Sequence, residues 1–172
     1  NEEKKEMINE IFKSRLRGAL EFASFEFYLE GVSRAFTHQL VRHRTFHFSQ
    51  QSMRFFDARE SGFVYPRSLQ KNEFKHINQI LPEVLNRIFK DYSNLIDQGF
   101  PVQDARSILP TNVKTKIMFG CTFRGLVDLA EVRMCLQTQD EFRTAMIGIV
   151  KEINEVSSFL ASKLVPVCER TG

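Results

Sequence analysis

Several things are missing from this chain, and each absence narrows what it can be. Cysteine is scarce: Cys121, Cys135 and Cys168 are odd in number, widely spaced and without metal-ligand spacing, which points to reduced thiols in a cytoplasmic setting. No apolar run is long enough to span a membrane, and the acidic, lysine-containing start NEEKKEM is not a signal peptide. There is no internal repeat, no low-complexity linker and no glycine-rich phosphate fingerprint. A chain of 172 residues is expected to form a single domain, 1–172, around one core that buries about 70% of the unfolded surface. The net charge of +3 is too small to imply a polyanion partner. Because the basic residues concentrate locally, a small anionic ligand is favoured over nucleic acid.

Acid is also nearly absent from the stretch around which the chain is organised. Val32 to Arg59 holds five arginines and three of the four histidines on 28 positions with a single acid, Asp57. Guanidinium groups stay protonated at any working pH and present a planar fork of donors, so several of them together ask for phosphate or carboxylate groups.

The periodicity along the chain predicts its elements. Glu2 to Lys13 carries Met7, Ile8, Ile11 and Phe12 at helical spacing. Leu20 to Leu29 alternates, with Ala23, Phe25, Phe27 and Leu29 on one side, as a strand ended by Gly31. From Val32 the period becomes helical, with Phe36 and Leu40 on a core stripe and Arg34, His38 and Arg42 on other faces. An irregular or extended segment follows to Phe55, and Phe63 to Tyr65 reads as a strand-like edge. Asn72 to Gln98 is the longest helical pattern, which Pro82 must kink or divide and Gly99 ends. Pro101 to Ser107 is a short helix, and Val113 to Cys121 a second strand. Thr122 caps a helix to about Leu136. Thr138 and Glu141 form a capping box for a last helix whose stripe includes Ile149, Ile153, Val156 and Leu160. Met118 and Phe119 read as core and the lone His76 as surface. The fold class is mixed α+β: helix-rich, with a small, mainly antiparallel sheet and long helices packed on it.

Arg42, His43 and Arg44, then seven residues, then Ser52 reproduce an Arg-His-Arg-x7-Ser signature. With LEFASFEFYLEGVSRAFTHQL before it and ARSILP, FRGLVDLAEVR and EFR downstream, the chain resembles the flavin-dependent thymidylate synthases from about Leu20 to Arg143. Departures are visible too. Thr122 stands where the family commonly has Asn, and can cap a helix but offers no amide to a flavin. Asp128 puts a carboxylate where Asn or His is usual. The family's His-x-Ser-x-Leu-Glu-His block survives only as Leu16, Gly18, Leu20, Glu21 and Phe22, and the comparison with the family leads to the expectation that its N-terminal strand segment is missing.

The resemblance implies an enzyme that methylates dUMP at uracil C5, with FAD, NADPH as reductant and methylene-tetrahydrofolate as carbon donor. It also implies a homotetramer with sites built from several subunits. It places Arg42, His43 and Arg44 at the flavin, with Ser49, Thr122, Arg124 and Asp128 as further cofactor candidates. Gln39, Gln50, Gln51, Ser52, Arg54 and Arg106 fall to the nucleotide, with Arg106 gripping its phosphate. Arg133 closes the segment that contacts the pyrimidine.

Plainer readings stand beside these. Arg42 to Arg44 can be a solvated basic helix end. Ser52 can be a nucleophile only with a positioned base, and His43 and His47 are neighbours in sequence alone. Arg124 and Asp128, four apart, can form an exposed ion pair worth about 0.3 to 0.5 kcal/mol instead of meeting a ligand. Arg133 shares a helix face with Thr122, Leu126 and Leu129, with its ends roughly 16 Å apart. It can stabilise charge on the uracil or form a salt bridge at a subunit interface. A flavin and nucleotide enzyme with another substrate or product, such as a hydroxymethylated pyrimidine, and a non-catalytic nucleic-acid-binding module using the arginines and aromatics remain alternatives.

Overall fold

Phe25, Phe27 and Leu29 are half-buried while Ser24, Glu26, Tyr28 and Glu30 face solvent, and this alternation makes strand β1 (Ser24–Ser33). The computed structural model describes residues 2–14 and 17–170, so Leu16 of the shortened block lies outside it. The strand departs from the expected bounds at both ends. Leu20 is buried in a 3-10 turn, Arg17–Phe22, and pairing begins only after it. Gly31 does not stop the strand. It adopts φ 74°, which a residue without Cβ takes at no steric cost, and the strand continues to Ser33. With β2 (His47–Gln50) and β3 (Lys114–Thr122), β1 forms a three-stranded sheet in the order β1-β3-β2. The Phe123 amide donates to the Ala23 carbonyl at 2.7 Å, and the Arg34 amide donates to that of Val113 at 3.1 Å, so β1 and β3 run antiparallel. The fold is thus helix-rich α+β with a small antiparallel sheet.

The chain divides into two compact units, Asn1–Phe27 with His43–His47 and Phe119–Gly172, and Tyr28–Arg42 with Phe48–Met118. The first unit holds α1 (Glu2–Ser14), α5 (Phe123–Arg133), α6 (Asp140–Val156), α7 (Ser158–Ala161) and α8 (Val167–Arg170). As expected, Thr122 caps α5, its hydroxyl accepting from the Gly125 amide at 3.2 Å, and Leu126, Val127, Leu129 and Ala130 are buried. The helix stops at Arg133, leaving Leu136 exposed.

The expected Thr138 capping box does not form. Gln139 holds the N-cap position of α6 without a side-chain capping bond, and the Thr138 hydroxyl donates to the Val132 carbonyl at 3.0 Å. That carbonyl is one of the last four of α5, which lack helical partners, so the hydroxyl meets a nearer need. Nor does α6 reach Leu160: Ser157 is extended and caps α7, and Val156 is exposed rather than part of the buried stripe.

In the second unit, α2 (Arg34–Leu40) begins after buried Ser33, whose hydroxyl accepts from the Phe36 amide at 3.0 Å. Asn72–Ile77 is a 3-10 turn, and α3 (Ile80–Asp97) starts beyond it. Pro82 therefore neither kinks nor divides a helix. It is the third residue of α3, where a backbone N–H would lack a helical partner in any case. Gly99, at φ 83°, ends α3 as expected, with the Phe100 amide on the Leu95 carbonyl and the Gly99 amide on that of Ile96, both at 2.9 Å. The short helix α4 (Val102–Ala105) leads into a 3-10 turn, Arg106–Ile108. Phe63 pairs with Val113 as the predicted edge. Met118 is a correction: it is exposed while Phe119 is buried, because neighbouring side chains of β3 leave on opposite faces.

Candidate functional site

The nucleotide candidates lie in the second unit, beside a cavity of about 560 Å³. Its walls include Arg34 and His38 of α2, Met53, Gln103 and Asp104 of α4, and Arg106 and Ser107 of the following turn. Gln103 ties two of the predicted arginines together. Its side-chain oxygen accepts from Arg54 Nη2 at 3.2 Å and its carbonyl from Arg106 Nε at 3.0 Å. Burial lowers the pKa of Arg34 below the ordinary value, and the positive charge of Arg106 lowers it further.

The segment from Gln50 to Arg54 is pinned by α2. Gln50 Nε2 donates to the hydroxyl of buried Thr37 at 2.7 Å, and Arg34 Nη1 donates to the Gln51 carbonyl at 3.3 Å. The Ser52 hydroxyl accepts from the Arg54 amide at 3.3 Å, a local turn bond rather than a contact with a base. Gln39 is half-buried, and its carbonyl accepts from the Arg42 amide at 3.3 Å in the turn after α2. Ser49, Arg42 and Arg54 are exposed.

In the first unit the geometry centres on His43. Its ring stacks on buried Phe46, with centroids 5.4 Å apart, and Phe46 stacks on Phe119 at 5.8 Å with planes 5° apart. Gly125 makes room for this stack, since a Cβ there would lie 2.8 Å from Phe46 Cε1. Gly120 does the same for His47, whose Nε2 would lie 2.0 Å from an added Cβ. Burial lowers the pKa of His43 below the ordinary value, and the charge of Arg133 adds to the effect, so the imidazole is neutral at pH 7. Its Nε2 is buried and, among the described residues, has no hydrogen-bond partner. Arg133 lies with its guanidinium carbon 4.6 Å from the centroid of the buried Phe142 ring. Arg44 is exposed.

Comparison with known proteins then decides the relationship. The family described as thymidylate synthase complementing protein matches residues 1–157. The chain belongs to that family. It is 34% identical over 163 residues to the flavin-dependent thymidylate synthase of Geobacter sulfurreducens, an alignment covering 94% of this chain and 69% of that protein. It is 35% identical over 176 residues to that of Nitratidesulfovibrio vulgaris, with 96% and 70% covered. For the protein of the same name from Pyrococcus horikoshii the identity is 37% over 164 residues, with 89% and 65% covered.

Within this family member the predicted residues fall into two groups, one in each unit. Gln39, Arg42, Ser49, Gln50, Gln51, Ser52, Arg54 and Arg106 belong to the second, and His43, Arg44, Thr122, Arg124, Asp128 and Arg133 to the first. The ion pair between Arg124 and Asp128, the alternative to a ligand role for both, is not formed. Arg124 meets Glu21 at 2.6 Å, and Asp128 meets Arg17 at 3.5 Å. The turn Arg17–Phe22 supplies an acid to one and a base to the other. Arg34 and His38 were assigned no role from the sequence, yet both line the cavity. The available signal was their i, i+4 spacing within the arginine-rich stretch. Among the described residues, no helix is long and apolar enough to cross a membrane.

Proposed function

We propose that this chain catalyses the flavin-dependent methylation of dUMP to dTMP, with methylene-tetrahydrofolate as carbon donor and NADPH as reductant. The observation that carries this reading is the second unit's cavity, on whose walls Arg34 and Arg106 lie with Gln103 and Ser107. Arg106, with Arg54 joined to it through Gln103, receives the nucleotide phosphate. Each charge-assisted hydrogen bond to it is worth roughly 1.5 to 3 kcal/mol. Ser52, Gln39, Gln50 and Gln51 complete the nucleotide contacts.

The residues of the first unit fit a flavin. A neutral His43 presents a buried ring nitrogen, donor or acceptor according to tautomer, to a ligand polar group, and the neighbouring Arg44 offers a cation to a pyrophosphate; Arg42, of the second unit, is a flavin candidate by the family resemblance alone. Thr122, Arg124 and Asp128 stand as further cofactor contacts, the last two by exchanging the ion pairs they now make, and Ser49, of the second unit, is a candidate by the family resemblance alone. When bound, FAD supplies the hydride that reduces the transferred carbon. Arg133 stabilises the negative charge that develops on the pyrimidine during attack from C5, a contribution expected to be large in a site that excludes water. The working enzyme is a cytoplasmic homotetramer of single-domain chains, with sites shared between copies. The free thiols of Cys121, Cys135 and Cys168 support the reducing setting.

The test is a titration of flavin-loaded protein with dUMP, alongside chromatography of the product formed with methylene-tetrahydrofolate and NADPH. Arg106→Ala is expected to weaken dUMP binding about tenfold or more. Unchanged dUMP affinity in that variant would remove Arg106 from the site, and a product other than dTMP would redirect the chemistry.

A further inference from the structure

Arg133 closes α5, and the chain then doubles back through residues 134–139 to start α6. This turn is fastened to the end of α5. The Met134 amide donates to the Ala130 carbonyl at 3.1 Å, the Thr138 hydroxyl to that of Val132 at 3.0 Å, and the Thr138 amide to that of Cys135 at 3.0 Å. The helix α6 therefore starts at a fixed place beside Arg133. Its third residue, Phe142, is buried and heads a stripe that continues through Met146, Ile149 and Ile153, so close packing holds the ring in place. The Arg133 guanidinium carbon lies 4.6 Å from the centroid of that ring, within reach of a cation–π attraction. Arg133 is half-buried, where such an attraction is stronger than at an exposed site. A carboxylate can also hold a guanidinium, but by cancelling its charge. The quadrupole of a ring attracts the cation without taking up its charge, so this hold does not compete with an anion for it. Burial and then the charge of Arg133 lower the pKa of His43, so the guanidinium acts on its surroundings within the first unit. A long side chain on the last turn of a helix has several rotamers open to it, and charge stabilisation in a transition state depends on a donor placed beforehand.

We propose that Phe142 is a positioning residue for Arg133, its ring holding the guanidinium ready for the negative charge that develops on the pyrimidine. The proposal rests on the reading of Arg133 given above. It assigns a part in turnover to a residue that touches no reactant and acts only through Arg133.

The experiment is steady-state kinetics of the flavin-loaded full chain with dUMP, methylene-tetrahydrofolate and NADPH, comparing wild type, Phe142→Leu, Arg133→Ala and the double variant. Leucine keeps an apolar side chain in the core and removes the ring face. Phe142→Leu is expected to lower kcat about tenfold while the KM for dUMP stays within about twofold. In the Arg133→Ala background the same change is expected to lower kcat by less than about twofold, because the residue through which the ring acts is gone. An unchanged kcat in Phe142→Leu, or a tenfold loss that persists in the double variant, would overturn the proposal and leave Phe142 as core packing. If Phe142→Leu does not fold by circular dichroism, trifluorophenylalanine incorporated in place of Phe142 carries the test. It nearly keeps the shape of the ring and drains its face of negative charge, so a severalfold loss of kcat supports the proposal and wild-type turnover overturns it. Failure of the reading of Arg133 has a separate signature: Arg133→Ala would turn over at the wild-type kcat, and the proposal would fall with it.

Discussion

Gly125 decides where His43 lies by having no side chain. A Cβ at that position would meet Phe46 Cε1 at 2.8 Å, and the Phe46 ring has little room to retreat because it is buried and stacked flat on Phe119. The His43 ring rests on Phe46, so the glycine acts on the histidine through one aromatic intermediary. Gly125→Ala sets two effects against each other. Alanine is the better helix former by about 1 kcal/mol, whereas overpacking a core costs about 1 to 3 kcal/mol. The expected outcome is a stability loss of up to about 2 kcal/mol in urea unfolding, accompanied by lower flavin occupancy read from visible absorbance. A variant as stable as wild type and fully yellow would show that His43 does not depend on this gap. Cys121, nearby on β3, is not a competing nucleophile: burial pushes its thiol up to about 12.

Among the elements, α3 does more than cover a face. Tyr92, fully buried, accepts from the Ala58 amide at 3.2 Å and donates to Asp57 at 3.4 Å, tying α3 to the 3-10 turn Ala58–Glu60. Tyr92→Phe keeps the ring and leaves a buried N–H without its partner, a loss expected at about 1 to 3 kcal/mol in equilibrium unfolding. Stability within experimental error of wild type would mean that the hydroxyl is dispensable to the turn. Tyr92 falls within the helical pattern that the sequence shows from Asn72 to Gln98, but its bond was not legible there. Elements set by near neighbours could be read directly: the alternation of β1, the Thr122 cap and the Gly99 stop each depend on residues within a turn of one another. Thr138 misled because the box pattern says nothing of the Val132 carbonyl within its reach. Of the two readings open for Arg124, the local ion pair fails because Glu21, 103 positions away, outcompetes the acid one turn along. Arg34 was placed correctly on a polar face of α2, but a helical pattern cannot say that this face borders a cavity shared with Arg106.

At the scale of the whole molecule, the proposed tetramer makes a claim that single variants cannot test. Arg106 is assigned to the phosphate and Arg133 to the pyrimidine, and the residues of the two groups belong to different units of the chain. In a closed symmetric oligomer every copy presents the same surfaces, so a site can take one group from one copy and the other group from its neighbour. Assayed at dUMP well below the weakened Kd, Arg106→Ala and Arg133→Ala should each be strongly impaired alone: the first binds dUMP about tenfold or more weakly, and the second loses charge stabilisation expected to be worth about 10² in kcat. Co-expression of the two at equal levels changes the arithmetic. Where a site draws its arginines from two different copies, half of the random assignments supply an intact Arg106 and half an intact Arg133. About one quarter of the sites are then whole. If both arginines come from one copy, every site carries one lesion. The expected result is recovery of about a quarter of wild-type turnover per site in the mixed tetramer, and none when the two purified variants are assayed together without exchange of copies. Mixed tetramers that form, as shown by differently tagged copies purifying together, yet stay inactive would refute sites shared between copies.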